Sequence, residues 1–262
     1  MKFFLTLLLF TSLFFLSHEV LAKEMPIVCG HRGDSHSFPE NTLPAFKNCL
    51  DNGIPAIELD VHQCKSGQIV VIHDDTVDRT TNGHGCVKDL DWDYLHGLNI
   101  KSSFIKPGQI VKLPLLKEVL TLVNGQMTIN IEIKGYTPDL VKGVIELLHD
   151  YPKTAKIIIS SFEYESLEEA YRLDKSLKLA YLTEKSQFLD VTDKLKKINA
   201  CAWNPEFQGL TSNDVKLAHQ NNYKIWSWTI DGSDNYKRAC LFNIDGIITN
   251  EPLKLVKYLN SQ

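Results

Sequence analysis

The sequence predicts an α/β fold, and within that class a (β/α)8, or TIM, barrel. Short apolar runs alternate with amphipathic segments along most of the chain. Setting one hairpin aside, eight such runs begin, near Ile27, Ile54, Met127, Lys156, Leu177, Ala200, Tyr223 and Ile244. The roughly 240 residues that follow an N-terminal leader suit a barrel, which typically takes ~250. A doubly wound open sheet also alternates, but usually with fewer strands and often with a glycine-rich phosphate loop, which this chain lacks.

Composition sets the outer bounds. The 262 residues are 44% hydrophobic and 23% charged, which allows one large domain with a substantial core. A formal charge of −4 and a pI near 6.1 give no support to a nucleic-acid or anionic-membrane partner. The sequence sets no oligomeric state.

Taken in order, the chain opens with Lys2, an apolar run over 3–16, and Val20-Leu21-Ala22 as a cleavage site. That is the layout of a signal peptide, 1–22, and the run is short for a membrane span of roughly 20 residues. The expected mature protein is one domain over 23–262, exported to the periplasm or secreted, with no stable membrane insertion after cleavage.

Ile27-Val28-Cys29 is the first strand. Leu43, Phe46 and Leu50 fall at helical spacing over 42–50, and Asn52-Gly53 ends that helix. A second strand covers 54–61. Lys65-Ser66-Gly67 is a turn between it and another strand-like run over 69–72, so 60–73 reads as a hairpin arm. The stretch 76–112 is rich in Gly, Asp, Asn and Thr without a sustained period, and reads as an insertion after the second barrel strand. Trp92, Tyr94 and Phe104 are expected to form its own small core.

Alternation then resumes, with helices over 115–122, 139–148, 165–173, 191–197, 214–220, 235–241 and 253–259. Strands over 127–133, 156–160, 177–182, 200–203, 223–229 and 244–249 alternate with them. Six cysteines in an exported chain permit disulfides, and without a CxxC they show no zinc pattern. Cys29 and Cys201 lie in apolar runs as expected buried thiols. Cys64 and Cys86 are the first pair to test for a bond.

Barrel active sites sit at the C-terminal ends of the strands, and polar residues gather there. His31 and Arg32 end the first strand, Glu58 and Asp60 lie late in the second, and Glu132 and Lys134 end the third. Residues two apart share a strand face, so Glu58 and Asp60 point together, as do Glu132 and Lys134. Paired carboxylates repel unless something positive lies between them. A divalent cation held by oxygen ligands would serve, and so would an ion network with Arg32 and Lys134. Pairing about the Ser66–Gly67 turn, with residue numbers summing to about 133, brings His73 beside Asp60 to within one residue. His31 reaches the same mouth from the adjacent strand, and the two histidines read as an acid/base pair.

His31-Arg32-Gly33, Pro39-Glu40-Asn41-Thr42, Glu58-Leu59-Asp60-Val61 and His73-Asp74 follow one another in this order. They are followed by Arg79-Thr80-Thr81-Asn82-Gly83-His84-Gly85, Ile131-Glu132-Ile133-Lys134, Ser161-Phe162, Trp228-Thr229 and Asp245-Gly246-Ile247-Ile248-Thr249. This ordered set resembles the glycerophosphodiester phosphodiesterase family over essentially the whole mature chain. The resemblance implies a TIM barrel with a family insertion at 76–112. It also implies hydrolysis of glycerophosphodiesters, such as glycerophosphocholine or glycerophosphoethanolamine, to sn-glycerol 3-phosphate and an alcohol. One divalent cation, Ca²⁺ or Mg²⁺, would assist. By motif position Glu58, Asp60 and Glu132 would be metal ligands, and His31 and His73 the acid/base pair. Arg32 and Lys134 would meet the phosphate, and Trp228 would pack on the substrate. Cys64 and His36 depart from the residues common at their positions, which points to a different rim.

Other residues read more plainly. Glu40 and Asn41 are expected to brace Arg32 or cap the first helix. One of Trp226 and Trp228 is expected in the core, with Trp228 at the mouth, and Asp74 and Asp75 orient neighbours or face water. A lysophospholipase D-type enzyme on the same scaffold would need an apolar patch beside the mouth. A barrel that only binds would be expected to lack one of the five key acids and histidines, and all five are present.

Overall fold

The computed structural model describes residues 25–151, 156–184 and 187–262; the expected signal peptide, 1–22, lies outside them. Among the described residues nine strands run in chain order: β1 (Ile27–Gly30), β2 (Ala56–Gln63), β3 (Ile69–Val71), β4 (Thr128–Ile133) and β5 (Ile157–Ser161), then β6 (Leu179–Thr183), β7 (Ala202–Pro205), β8 (Lys224–Ser227) and β9 (Gly246–Thr249). The helices are α1 (Leu43–Asp51), α2 (Trp92–Gly97), α3 (Leu116–Val123), α4 (Pro138–His149) and α5 (Tyr164–Leu173). They continue with α6 (Phe188–Lys197), α7 (Ser212–Gln220), α8 (Ser233–Phe242) and α9 (Pro252–Leu259). Among the described residues no helix is long and apolar enough to cross a membrane.

Eight parallel strands close on themselves. β1 pairs with β2 on one side and with β9 on the other, and β4 to β9 complete the ring. β3 pairs antiparallel with β2 outside this ring, as the arm required. The expected barrel strands are all present, several starting one or two residues later than their apolar runs. Ile54 shows why: it is 2% exposed and packs into the core, yet it precedes β2. Burial begins before backbone pairing does.

Strand alternation divides the core in two. Ile57, Leu59 and Val61 of β2 and Ile129, Ile131 and Ile133 of β4 pack outward against the helices. Cys29, Ala56, Ile158, Ala180, Ala202, Trp226 and Ile248 fill the barrel floor. Small residues there make room for the Trp226 ring; a Cβ on Gly246 would come within 2.4 Å of it. Trp226 is thus the core member of its pair, as expected. A cavity of about 860 Å³ opens at the opposite end of the barrel, where the strands begin, among residues including Ile27, Lys156 and Trp226.

The insertion carries a 3₁₀ turn at Val87–Asp89 and the helix α2. Its core corrects one expectation: Tyr94 and Phe104 are 45% and 46% exposed, and only Trp92 packs inward, in part. Val77, Val87, Leu95, Leu98, Ile100, Val111 and Leu113 form the core instead, together with Cys64, Val70 and Ile72 of the arm. Leu95 and, in part, Trp92 turn from α2 toward this core, while Tyr94 on the same helix turns outward.

The cysteines bring a second correction, because none of the six is in a disulfide. Cys64 is buried in the arm, where its Sγ donates to Gln68 Oε1 at 3.2 Å. Apolar packing, not a bond to Cys86, ties this region together. Cys29 is fully buried, whereas Cys201 is only partly so.

Leu95 is fully buried in this smaller core. Leu95→Ala is expected to destabilise it by about 2–5 kcal/mol, read from the shift of the urea midpoint.

Candidate active site

The site begins where β1 ends. The His31 N–H donates to Thr249 O at 2.8 Å and carries the chain out over the barrel mouth. Arg32 and Gly33 then turn it back with φ of 56° and 82°. Glycine is required at the second position: a Cβ there would lie 2.8 Å from Ala45 Cβ on α1. The turn aims the Arg32 N–H at Glu58 Oε2, 2.9 Å away.

Glu58, Asp60 and Glu132 are 3%, 1% and 8% exposed, and each offers an oxygen within 4.8 Å of the others. Register explains the meeting, since Asp60 pairs with Glu132 across β2 and β4. Two cations face the three acids. Lys134 Nζ lies 2.7 Å from Glu132 Oε1 and 3.7 Å from Asp60 Oδ1, and Arg32 Nε lies 3.4 Å from Asp60 Oδ2. They do not balance the cluster. Burial, then the charges of Asp60 and Glu132, push the Glu58 carboxyl well above its ordinary range. Burial, then Asp60, raise Glu132 to about 7. Glu58 Oε1 and Asp60 Oδ1 are buried without a hydrogen-bond partner. An all-oxygen, acid-rich set with free lone pairs suits a hard cation such as Ca²⁺ or Mg²⁺, so these residues fit the expected metal.

His31 faces this cluster, and His73 lies close enough for its charge to act on His31. His31 Nε2 lies 3.9 Å from Glu58 Oε2, and its Nδ1 is 2.8 Å from Asn250 Oδ1. Burial and then the Arg32 charge lower its pKa to about 4, with the charge of His73 adding to the effect. His73 arrives from the arm, but the hairpin register is one residue tighter than expected. Val61 pairs with Val71, and Ile72 donates to Asp60 O at 3.0 Å, so Ile72 takes the place expected for His73. His73 follows just beyond the ladder, where the His62 ring donates from Nε2 to its carbonyl at 3.1 Å.

A charged chain holds His73 to Arg32. His73 Nδ1 lies 2.7 Å from Asp74 Oδ1, and Arg79 donates to Asp74 and to both oxygens of Glu40. Glu40 Oε1 also accepts from Arg32 Nη1 at 2.9 Å. Glu40 therefore braces Arg32, as expected. Asn41 does something else: its Nδ2 donates to Asp60 Oδ2 at 2.7 Å, while Thr42 occupies the N-cap of α1. Asp74 orients its neighbour, whereas the Asp75 side chain is 92% exposed. Of the two departures, Cys64 lies inside the arm, and His36 is half exposed, 3.6 Å from Glu251 Oε1.

The far wall is aromatic. Trp228 is half-buried, donates from Nε1 to Asn204 O at 3.0 Å, and meets Phe162 edge-on with centroids 5.3 Å apart. Lys134 Nζ lies 5.9 Å from the Phe162 ring centre. All eight residues expected at the site are thus positioned around one mouth, Trp228 through the Phe162–Lys134 wall.

Residues 31–254 match the model of the glycerophosphoryl diester phosphodiesterase family. The chain belongs to this family. A glycerophosphodiester phosphodiesterase of Caldanaerobacter subterraneus subsp. tengcongensis is 34% identical over 234 residues, covering 88% of this chain and 96% of the relative. Another, from Bacillus altitudinis, is 34% identical over 244 residues, covering 89% and 98%. Among solved structures, an Oleispira antarctica phosphodiesterase in complex with the product sn-glycerol-3-phosphate superposes with a TM-score of 0.84. It is 24% identical, covering 90% of this chain and 97% of that one. This chain is an enzyme with glycerophosphodiester phosphodiesterase activity, built on the barrel of its family.

Several supports in this phosphodiesterase site escaped the sequence reading. His62 alternates with Asp60 on β2 and could have been found by that spacing. Asp231 and Asn250 stand next to His31 only because β9 closes against β1, pairing Gly30 with Thr249. Closure brings together residues from opposite ends of the chain, and no local signal marks it.

The Glu40 clamp yields a pH test. Burial opposes its ionisation, but hydrogen bonds from Arg79 and the charges of Arg32 and Arg79 prevail and hold it at about 2, below its ordinary 4.5. A lowered acid pKa contributes stability above 4.5 that is lost as pH falls through 2. Glu40→Gln is expected to be less stable than the parent at pH 7. The gap in urea midpoint should close as pH drops below 4.5.

Proposed function

We propose that this chain hydrolyses small glycerophosphodiesters, such as glycerophosphocholine and glycerophosphoethanolamine, to sn-glycerol 3-phosphate and an alcohol. It does so with one divalent cation, Ca²⁺ or Mg²⁺, and a histidine pair. The observation that carries this reading is the buried triad of Glu58, Asp60 and Glu132, with two oxygens unpartnered and His31 against Glu58. The Oleispira antarctica relative, in complex with sn-glycerol-3-phosphate, supports the product assignment.

Glu58, Asp60 and Glu132 would hold the cation. When bound, it would polarise the phosphoryl group and offset the charge that builds on its oxygens. Arg32 and Lys134 place two further cations at the phosphate, and their bracing by Glu40 and Glu132 fixes where that charge is offered. The wall of Trp228 and Phe162 gives the organic part of the substrate an apolar surface. One histidine takes the proton of the attacking oxygen as the new P–O bond forms. The other protonates the alkoxide as the old bond breaks; the pair's total of protons is then unchanged, and exchange with water returns each ring to its starting state.

The N-terminal leader supports a site of action outside the cytoplasm, in the periplasm or beyond.

The test is release of sn-glycerol 3-phosphate from glycerophosphocholine. EDTA should abolish it, and Ca²⁺ or Mg²⁺ should restore it. His31→Ala and His73→Ala should each lower kcat by about 10²–10⁴-fold without loss of fold. Full activity in either variant would remove that histidine from the pair. Choline release from lysophosphatidylcholine, measured alongside, should be the slower reaction.

A further inference from the structure

His31 and His73 have different partners on Nδ1. His73 faces a carboxylate, Asp74, whereas His31 faces a neutral amide, Asn250. A carboxylate only accepts, but an amide can present either its oxygen or its nitrogen, so the state of His31 depends on which way Asn250 points.

Asp231 settles that orientation. Asp231 Oδ2 lies 2.6 Å from Asn250 Nδ2, and only a donor can face a carboxylate. Asp231 Oδ1 also accepts from the Asn250 N–H at 2.9 Å and from Thr249 Oγ1 at 2.7 Å, which locks the carboxylate in place. The amide oxygen is thereby turned to His31 Nδ1 at 2.8 Å and to Ser35 Oγ at 3.0 Å. The Asn250 carbonyl accepts from the His36 N–H at 3.0 Å, so the residue is held at both ends.

The structure assigns Asn250, oriented by Asp231, as a positioning residue that fixes His31 as the Nδ1–H tautomer with its Nε2 lone pair turned into the site. An oxygen acceptor requires Nδ1 to carry the hydrogen, and Nε2 is then the bare nitrogen, on the side of Glu58. Nε2 is thus the nitrogen through which His31 exchanges a proton with the reacting oxygens. The assignment rests on the reading of the two histidines as an acid/base pair. It adds two residues and the ring nitrogen of His31 that faces the reaction.

Asp231→Asn tests it with almost no change in volume. The new amide can still accept at one oxygen, but its NH₂ then faces the side chain of Asn250. Asn250 is expected to flip, present its own NH₂ to His31 Nδ1, and drive the ring to the Nε2–H tautomer. ¹⁵N NMR of histidine-labelled full chain, with the His31 signals assigned by their absence in His31→Gln, reads the tautomer directly. The parent should show Nδ1–H at His31 and Asp231→Asn should show Nε2–H. In the metal-loaded enzyme, kcat on glycerophosphocholine should fall by about 10²-fold with KM changed less than about threefold. Asn250→Leu should lower kcat to a similar level.

An unaltered tautomer in Asp231→Asn, or an altered tautomer with full kcat, would overturn the assignment. So would a parent ring protonated at Nε2. Full activity in His31→Gln would instead overturn the acid/base reading beneath it, so the two failures are separable.

Discussion

Three carboxylates buried within 4.8 Å of one another are the constraint from which the rest of this site follows. Burial, and then repulsion at that spacing, raise the carboxyls of Glu58 and Glu132 above their ordinary range. Two cationic side chains fall short of neutralising them, and the shortfall is what makes the cluster a receptor for positive charge. Everything around it steadies the oxygens: the Arg32 N–H holds Glu58, Asn41 holds Asp60, and Lys134 holds Glu132. Such a cluster forgoes folding stability and leaves a site that could hold a cation.

The barrel makes that concentration of charge tolerable. Parallel strands deliver acids from β2 and β4 to one end, and the floor beneath them is packed with Ala56, Ile158, Ala180, Ala202 and Trp226. Repulsion is thereby confined to the mouth, while the large apolar layer between strands and helices stabilises the fold. The unusual turn at Arg32 and Gly33 is tolerated because α1 packs directly beneath it.

Most of the fold was legible because it rests on local periodicity. The eight barrel strands, the arm and the helices around the barrel follow from apolar spacing and from turns such as Lys65-Ser66-Gly67. Within the site, Glu58 with Asp60 and Glu132 with Lys134 were legible because alternation fixes a face. The register of the arm fell within the expected one-residue margin, since a turn limits pairing without choosing between adjacent alignments. The insertion core was misread because aromatic residues mark order but not direction, and Leu95 faced inward where Tyr94 did not. The Cys64–Cys86 pair failed because an even cysteine count says nothing of packing. Asn250 and Asp231 lay beyond reach because only closure of β9 on β1 makes them neighbours of His31.

The arm has a consequence for how the molecule fails. His31 ends a barrel strand, whereas His73 follows a strand shared by two cores, with Ile69 and Val71 in the main core and Val70 and Ile72 in the smaller core of arm and insertion. The Asp74–Arg79–Glu40 clamp ties His73 back to Arg32 at the mouth. A change that loosens the smaller core therefore acts on His73 more directly than on His31, and through the shared strand it also reaches the barrel wall.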